Sequence, residues 1–337
     1  MSKTKINYFS IKDKKFTSYK KILIIAEIGS NHNNDFKLCK KLIYMSKQAG
    51  CDGVKFQFFK ANLLVQENTR AYGVLKKLEM FESWIPKISK ICKLLKLYFV
   101  CSVFDVHSAK VLKKYCDIIK IASPEIKNIP LIKSAIKTKL PLIISTGYSD
   151  PADLKKVFKL IPLSHHRKFS FLHCTSQYPC TTKNLNLNMI NYLTHNYNSI
   201  PIGFSDHSLS TNTGLSAVAT GACIVEKHIT LSKKLKGPDH FFALDQKELI
   251  SYVRKIREFE LSHGSYAKKK IEDENTVYVS IVSKKKLSKD HKIKQEDLIC
   301  KRTYSEGIGS DKIIFVLNKK VKKNIQKDHI IKISDIY

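Results

Sequence analysis

The sequence predicts an α/β chain, a (β/α)8 TIM barrel over residues 21–261 followed by a small, mostly β domain over 277–337. Three observations predict it. Between residues 21 and 230 a short apolar, β-branched run ending in polar or Gly residues recurs eight times, each time before a helix-like segment. The runs are continuous rather than alternating, as in strands buried on both faces of a parallel sheet. Eight strand–helix units in about 240 residues is the arithmetic of a barrel. A doubly wound sheet uses fewer strands, and no G-x-G-x-x-G follows the first run.

The elements follow in order. Residues 1–20 are Lys-rich and weakly apolar, an N-terminal extension that suits a hairpin and a loose arm equally. The eight strand candidates are Ile22–Gly29, Gly53–Phe59, Tyr98–Phe104, Ile118–Ser123, Pro141–Gly147, Phe169–Thr175, Pro201–Ser205 and Cys223–Thr230. Leu38, Cys39, Leu42 and Ile43 share one face of a helix that ends near Gly50. Asp150-Pro151-Ala152-Asp153 reads as an N-cap, a first-position Pro and a first-turn acid. Asp245 and Glu248 form a capping-box start for a last helix carrying Leu249, Val253 and Ile256. Residues 262–276 are polar, charged and aperiodic, and read as a linker. Beyond it, Val277–Val282, Ile313–Val316 and Ile330–Ile333 read as short β pieces.

Composition narrows the function. A hydrophobic content of 43% supplies a packed core. No apolar run approaches the roughly 18 residues of a membrane helix, and the N-terminus has no apolar signal core, so membrane and secreted classes are excluded. Nine Cys without a C-x-x-C pair suit a reducing cytoplasm. The net charge is +31, but its Lys are spread along the whole chain. That reads as a solvated surface favouring anionic ligands; nucleic acid and membrane are not expected partners.

Barrel active sites are built at the C-terminal strand ends. These ends carry Glu27, Asn31-His32-Asn33, Lys55 and Gln57, Asp105, Lys120 with Ser123 and Glu125, and Ser145-Thr146-Gly147. The later ones carry His173 to Ser176 with Tyr178, Ser205-Asp206-His207 and Glu226-Lys227-His228. Burying such groups without a partner is expensive, so their convergence on one mouth points to chemistry. Lys55 and Lys120 with Ser123, Ser145 and Ser205 would hold a phosphate or carboxylate. Either lysine alternatively forms a Schiff base, or simply pairs with Glu27 or Glu125. His207 and His228 end neighbouring strands and would share one divalent metal. Glu27 is a general-base candidate or holds a sugar hydroxyl. His32 and His173 are read as structural or as supports behind the residues that line the site.

IIAEIGSNHNND (24–35), VKFQ (54–57), KIASPE (120–125), STGYSD (145–150), LHCTSQYP (172–179), GFSDHS (203–208), EKHIT (226–230) and GPDHFFAL (237–244) together resemble the N-acetylneuraminate synthase family. The tail SIVSKKKLSKDHKIKQEDLICKR (280–302) is similar to its antifreeze-like (SAF) domain. The resemblance implies condensation of phosphoenolpyruvate with an N-acyl mannosamine-type sugar to give a nine-carbon sialic-acid-like product and phosphate. It implies that Lys55, Lys120, Ser123, Ser145, Ser176 and Ser205 bind phosphoenolpyruvate, and that His207 and His228 carry Mn2+ or Mg2+, or Co2+. It further implies that Gln57, Glu125, Tyr178 and Asp239 hold the acceptor, with Glu27 as acid/base. Arg302 would reach the N-acyl group from the partner of a domain-swapped homodimer. The family usually has Asn where Ser176 stands and Pro where Thr303 stands. Legionaminate or pseudaminate synthesis, or a shorter 3-deoxy sugar acid synthase, is the alternative enzyme. A basic nucleic-acid- or polysaccharide-binding protein on a retired barrel is the non-enzyme alternative.

Overall fold

The computed structural model describes residues 7–265, 267 and 277–337, which divide into two compact units, 1–264 and 265–337. The expected linker, 262–276, lies mostly outside the described residues; its first residue, Ser262, is the last of the helix Gln246–Ser262. No described helix is long and apolar enough to cross a membrane.

The first unit opens with an antiparallel hairpin, β1 (Tyr8–Ile11) and β2 (Lys14–Thr17). Eight parallel strands then close a barrel: β3 (Leu23–Gly29), β4 (Gly53–Phe58), β5 (Tyr98–Val103), β6 (Ile118–Ile121), β7 (Leu142–Ser145), β8 (Phe169–His173), β9 (Ile202–Asp206) and β10 (Ile224–His228). β10 pairs back with β3. Each expected strand is present, and the helices between them start as their caps dictate. Asp150 and Asp245 both form complete capping boxes, with Asp153 and Glu248.

Alternation explains why the strand runs look continuous. One set of side chains, including Ile24, Ala26, Val54, Phe56, Phe99, Ile119, Ile144, Phe171, Phe204 and Val225, packs with the surrounding helices in the main core. The other set points to the axis and divides into two layers. At the N-terminal end Leu23, Ile25, Val100, Ile118, Ile143, Leu172 and Ile224 form a separate apolar cluster. Phe9, Ile11 and Phe16 of the hairpin join that cluster, so residues 8–17 are a plug that seals the bottom of the barrel. Of the two forms the extension suits, the hairpin is the one observed. At the C-terminal end the axis-facing residues turn polar.

In the second unit β11 (Tyr278–Ser283) pairs antiparallel with β12 (Leu298–Thr303). One of the expected β pieces is corrected: Ile313–Val316 is one turn of helix entered from the 3-10 turn Ser310–Lys312. A four-residue apolar run carries no period by which to tell strand from helix. Of Ile330–Ile333, Ile330 bridges Val282 antiparallel and Ile331 N donates to the Ile281 carbonyl, while Ile333 already opens the 3-10 turn Ile333–Asp335. The unit also holds an internal repeat. Lys285–Leu298 recurs as Lys323–Ile336, with Lys-Asp-His at 289–291 and 327–329, Ile-Lys at 293–294 and 331–332, and Asp at 297 and 335. The two copies bond alike: His291 Nε2 lies 2.7 Å from Asp297 and His329 Nε2 2.8 Å from Asp335. Leu287 and Ile325 exchange backbone hydrogen bonds. The unit is thus two like halves joined about a pseudo-twofold axis around a small core of Ile281, Leu287, Ile293, Val321, Ile325 and Ile331.

Candidate active site

The polar upper layer follows from parity. Counting by twos from the apolar layer, Ile25 leads to Glu27, Val100 to Ser102, Ile118 to Lys120, Ile143 to Ser145, and Ile224 to Glu226 and His228. Lys55 and Ser205 stand in the matching positions of β4 and β9. Parallel register then sets neighbours: Glu27 faces Lys55 on one side and His228 on the other, and Glu226 faces Ser205. These side chains line a cavity of about 260 Å³ together with Gln57, Ser123, Tyr178, His207 and Asp239.

Glu226 is the hub. Its carboxylate lies 3.0 Å from Lys55 Nζ and 3.2 Å from Lys120 Nζ, and accepts a 2.9 Å hydrogen bond from Ser205 Oγ. Lys55 also reaches Glu27 at 3.3 Å. All four charged groups are buried. Burial raises the Glu226 carboxyl, but the Lys120 and Lys55 ammonium groups override it and hold it well below its usual range. Burial pulls Lys55 down, and the Glu226 and Glu27 carboxylates reverse this to a net rise. Lys120 falls below its ordinary value because its burial is incompletely offset by Glu226. Glu27 goes the other way: burial pushes it up to about 7 against the pull of Lys55. Gln57 Nε2 donates to Glu27 Oε1 at 3.0 Å. The backbone makes room for this pair at Gly29, whose φ is +53° and where a Cβ would stand 3.1 Å from Glu27 Oε1.

Three hydroxyls, Ser102, Ser145 and Ser176, are buried with no hydrogen-bond partner. Native structures rarely leave such groups unpaired, so the two that line the cavity beside Lys120, Ser102 and Ser145, mark places for a ligand oxygen. Ser123 Oγ, already engaged, accepts from Gly147 N at 3.0 Å and lies 2.9 Å from Cys174 Sγ.

The two imidazoles stand 5.6 Å apart, centroid to centroid. His207 Nδ1 bonds the Thr175 carbonyl at 2.8 Å, which fixes the ring and leaves Nε2 toward the cavity. Burial lowers His207 to about 4 and, with the neighbouring imidazole and Lys55, lowers His228 well below its usual value. Both imidazoles are therefore neutral near pH 7. His228 Nδ1 has no hydrogen-bond partner and lies 3.5 Å from Asp239 Oδ2, a carboxyl that burial raises to about 6. Among the described residues no three His, Cys, Asp or Glu side chains gather tightly enough to enclose a metal alone. Tyr178 packs its ring 4.1 Å from that of His207.

Not every expected site residue meets this cavity. Glu125 sits in the 3-10 turn after β6 and accepts from Asn128 Nδ2 at 2.8 Å, away from the lining. Ser176 lies outside the lining as well. Asp105 caps the helix Val106–Leu112 by accepting from Ser108 N. Arg302 is exposed on β12 of the second unit, where its neighbour Thr303 bonds Ser280 Oγ at 2.8 Å. His32 and His173 are buried, His173 bonding the Leu185 carbonyl at 2.8 Å. Sequence reasoning listed Glu226 at its strand end but gave it no role, and missed Ser102. Parity was the available signal for Glu226, two positions before His228; for Ser102 it was lacking, since the candidate named on that strand end, Asp105, lies three positions on. Sequence reasoning also missed Leu75 and Leu78, which give the cavity an apolar side.

The model of the NeuB family matches residues 42–268. The chain belongs to the NeuB family. It is 35% identical to the N,N'-diacetyllegionaminic acid synthase of Legionella pneumophila, over 90% of this chain and 91% of that protein. It is 31% identical to the human N-acetylneuraminate-9-phosphate synthase, over 91% and 90%. The crystal structure of the N-acetylneuraminic acid synthetase from Leptospira borgpetersenii superposes with a TM-score of 0.74 at 29% identity, over 80% of this chain and 94% of that one. The sialic-acid-synthase resemblance carried by the eight motifs agrees with these relatives.

Proposed function

We propose that this NeuB-family chain joins phosphoenolpyruvate to the open-chain form of an N-acyl mannosamine-type sugar, giving a nine-carbon nonulosonic acid and inorganic phosphate. The observation that carries this reading is one cavity holding two buried ammonium groups, unpaired hydroxyls and two neutral imidazoles. A small polyanion with phosphate and carboxylate ends fits the first two sets. An aldehyde acceptor fits the third.

Lys55 and Lys120 stay protonated as anion clamps, since each already shares the Glu226 carboxylate, and Ser102, Ser145 and Ser205 complete the cradle. C3 of the enol attacks the aldehyde carbon of the sugar. Glu27, raised to about 7, carries a proton on a large fraction of molecules at neutral pH; it gives that proton to the aldehyde oxygen as C–C bond formation turns it into an alkoxide. Water then adds at C2, Glu27 as carboxylate takes the water proton, and the tetrahedral intermediate expels phosphate with C–O cleavage. Gln57 keeps the Glu27 carboxyl oriented through both transfers.

The residues fit a divalent cation. His207 with its Nδ1 tied to a carbonyl and His228 with an orphaned nitrogen would hold Mn2+ or Mg2+, the remaining positions falling to water and substrate oxygens. Such an ion, when bound, supplies Lewis-acid polarisation of the acceptor carbonyl. Tyr178 and Asp239 hold sugar hydroxyls in this reading. Arg302 from the second copy of a domain-swapped homodimer meets the acyl group, with residues 277–337 acting as an SAF domain. Eight buried free thiols suit a reducing cytoplasm.

The test is phosphate release from phosphoenolpyruvate with N-acetylmannosamine, its 6-phosphate and a diacetamido-trideoxyhexose, each with Mn2+ and with EDTA. Metal-dependent release with one sugar establishes the reaction and the acceptor together. Silence with every sugar in a folded protein overturns the reading.

A further inference from the structure

Asp206 and Lys227 take no part in the chemistry above, yet both are buried, at 0% and 1% exposure. They face each other in the β9–β10 register and alternate with the inward residues Ser205, His207, Glu226 and His228, so they point away from the axis. Lys227 Nζ lies 3.0 Å from Asp206 Oδ1 and donates to the Ser208 carbonyl. Asp206 Oδ1 accepts from Ser208 N at 2.8 Å, and Asp206 Oδ2 from Tyr252 Oη at 3.3 Å. The Tyr252 ring seats against Gly214, where a Cβ would come within 2.2 Å of Cζ, and Ser208 Oγ donates to Thr213 at 2.9 Å.

An ion pair this deep is a poor route to stability, because desolvating each ion costs several kcal/mol that an apolar pair would not incur. Its placement has a geometric consequence instead. Both backbone polar groups of Ser208, directly after His207, are held by the pair, and Lys227 directly precedes His228. The pair therefore clamps the main chain one residue from each imidazole. We propose that Asp206, Lys227 and Tyr252 are positioning residues that set the relative placement of His207 and His228, and through it the affinity for a divalent cation; this rests on the two-imidazole reading above.

The experiment measures Mn2+ binding to the full chain by electron paramagnetic resonance of the free ion, and phosphoenolpyruvate binding without metal by calorimetry. Lys227→Met is expected to weaken Mn2+ about 10- to 100-fold, as loss of an outer support does, while phosphoenolpyruvate binding stays within about twofold. Tyr252→Phe, which keeps the ion pair, is expected to give a smaller loss in the same direction. Mn2+ binding within about twofold of wild type in a folded Lys227→Met overturns the proposal. So does a parallel fall of both affinities with Tm, the mark of a merely structural pair. If Lys227→Met fails to fold, Asp206→Asn and Tyr252→Phe decide by the same criteria. His228→Gln is the control for the underlying site. Wild-type protein that binds no Mn2+, or binding untouched by His228→Gln, overturns the two-imidazole reading and this one with it.

Discussion

Glu27→Gln should make the barrel more stable at alkaline pH while removing its activity. The side chain is fully buried, and its carboxyl is raised from 4.5 to about 7 even with Lys55 at 3.3 Å. At about 1.4 kcal/mol for each tenfold change, the ionised form costs the folded state about 3 kcal/mol. The folded state binds the proton more tightly than the unfolded one. Its contribution to stability is therefore fully present below pH 4.5 and is lost as the pH rises through about 7. Glutamine has the same shape, stays neutral and keeps a hydrogen-bond oxygen for Gln57, so its stability has no such slope. Urea denaturation followed by circular dichroism should find the two proteins alike at pH 4.5 and the variant ahead by up to about 3 kcal/mol at pH 8.5, or roughly 6–10 °C in Tm for a unit of this size. Phosphate release should fall by about 10²- to 10⁴-fold, the range of a lost acid/base group. A stability gap independent of pH, or a wild type that is the more stable at pH 8.5, would refute the assignment of Glu27 as a carboxyl raised by burial.

Three further outcomes are expected. Glu226→Gln leaves Lys55 and Lys120 without their shared carboxylate, so the barrel should lose roughly 3–5 kcal/mol. Saturating phosphoenolpyruvate should restore much of this, read as a larger ligand-induced rise in Tm than wild type shows. Ser102→Ala and Ser145→Ala each remove a hydroxyl that has no protein partner; KM for phosphoenolpyruvate should rise by about 5- to 10-fold, with Tm unchanged by thermal melts. Phe9→Ala empties the plug at the far end of the barrel and should cost about 3–5 kcal/mol in denaturant titrations while leaving kcat/KM at 25 °C intact.

Much of the fold is written locally. The eight strands, the two capping boxes and the closure count need only apolar runs, Asp and Glu at helix starts, and length. The hairpin of residues 8–17 was not decided locally, because Phe9, Ile11 and Phe16 find their apolar partners only once six separate strands have been brought to one end of the barrel. The same holds for Ile313–Val316, whose conformation depends on the turn before it rather than on its own four residues.

The site divides in the same way. Residue types and their order along the chain determined by themselves that lysines, hydroxyls, carboxylates and imidazoles would end the strands, and that two histidines would stand on neighbouring strands. Closure of the barrel decided which of them meet. Lys120 pairs with Glu226, not with Glu125, because inward parity and register carry Glu226 across the axis while Glu125 turns away into a 3-10 segment. The same parity sends Asp206 and Lys227 outward to hold the strands that carry the imidazoles. Charge pairing in a low-dielectric interior depends on distances of a few ångströms between residues far apart in sequence, and only the folded chain sets those distances.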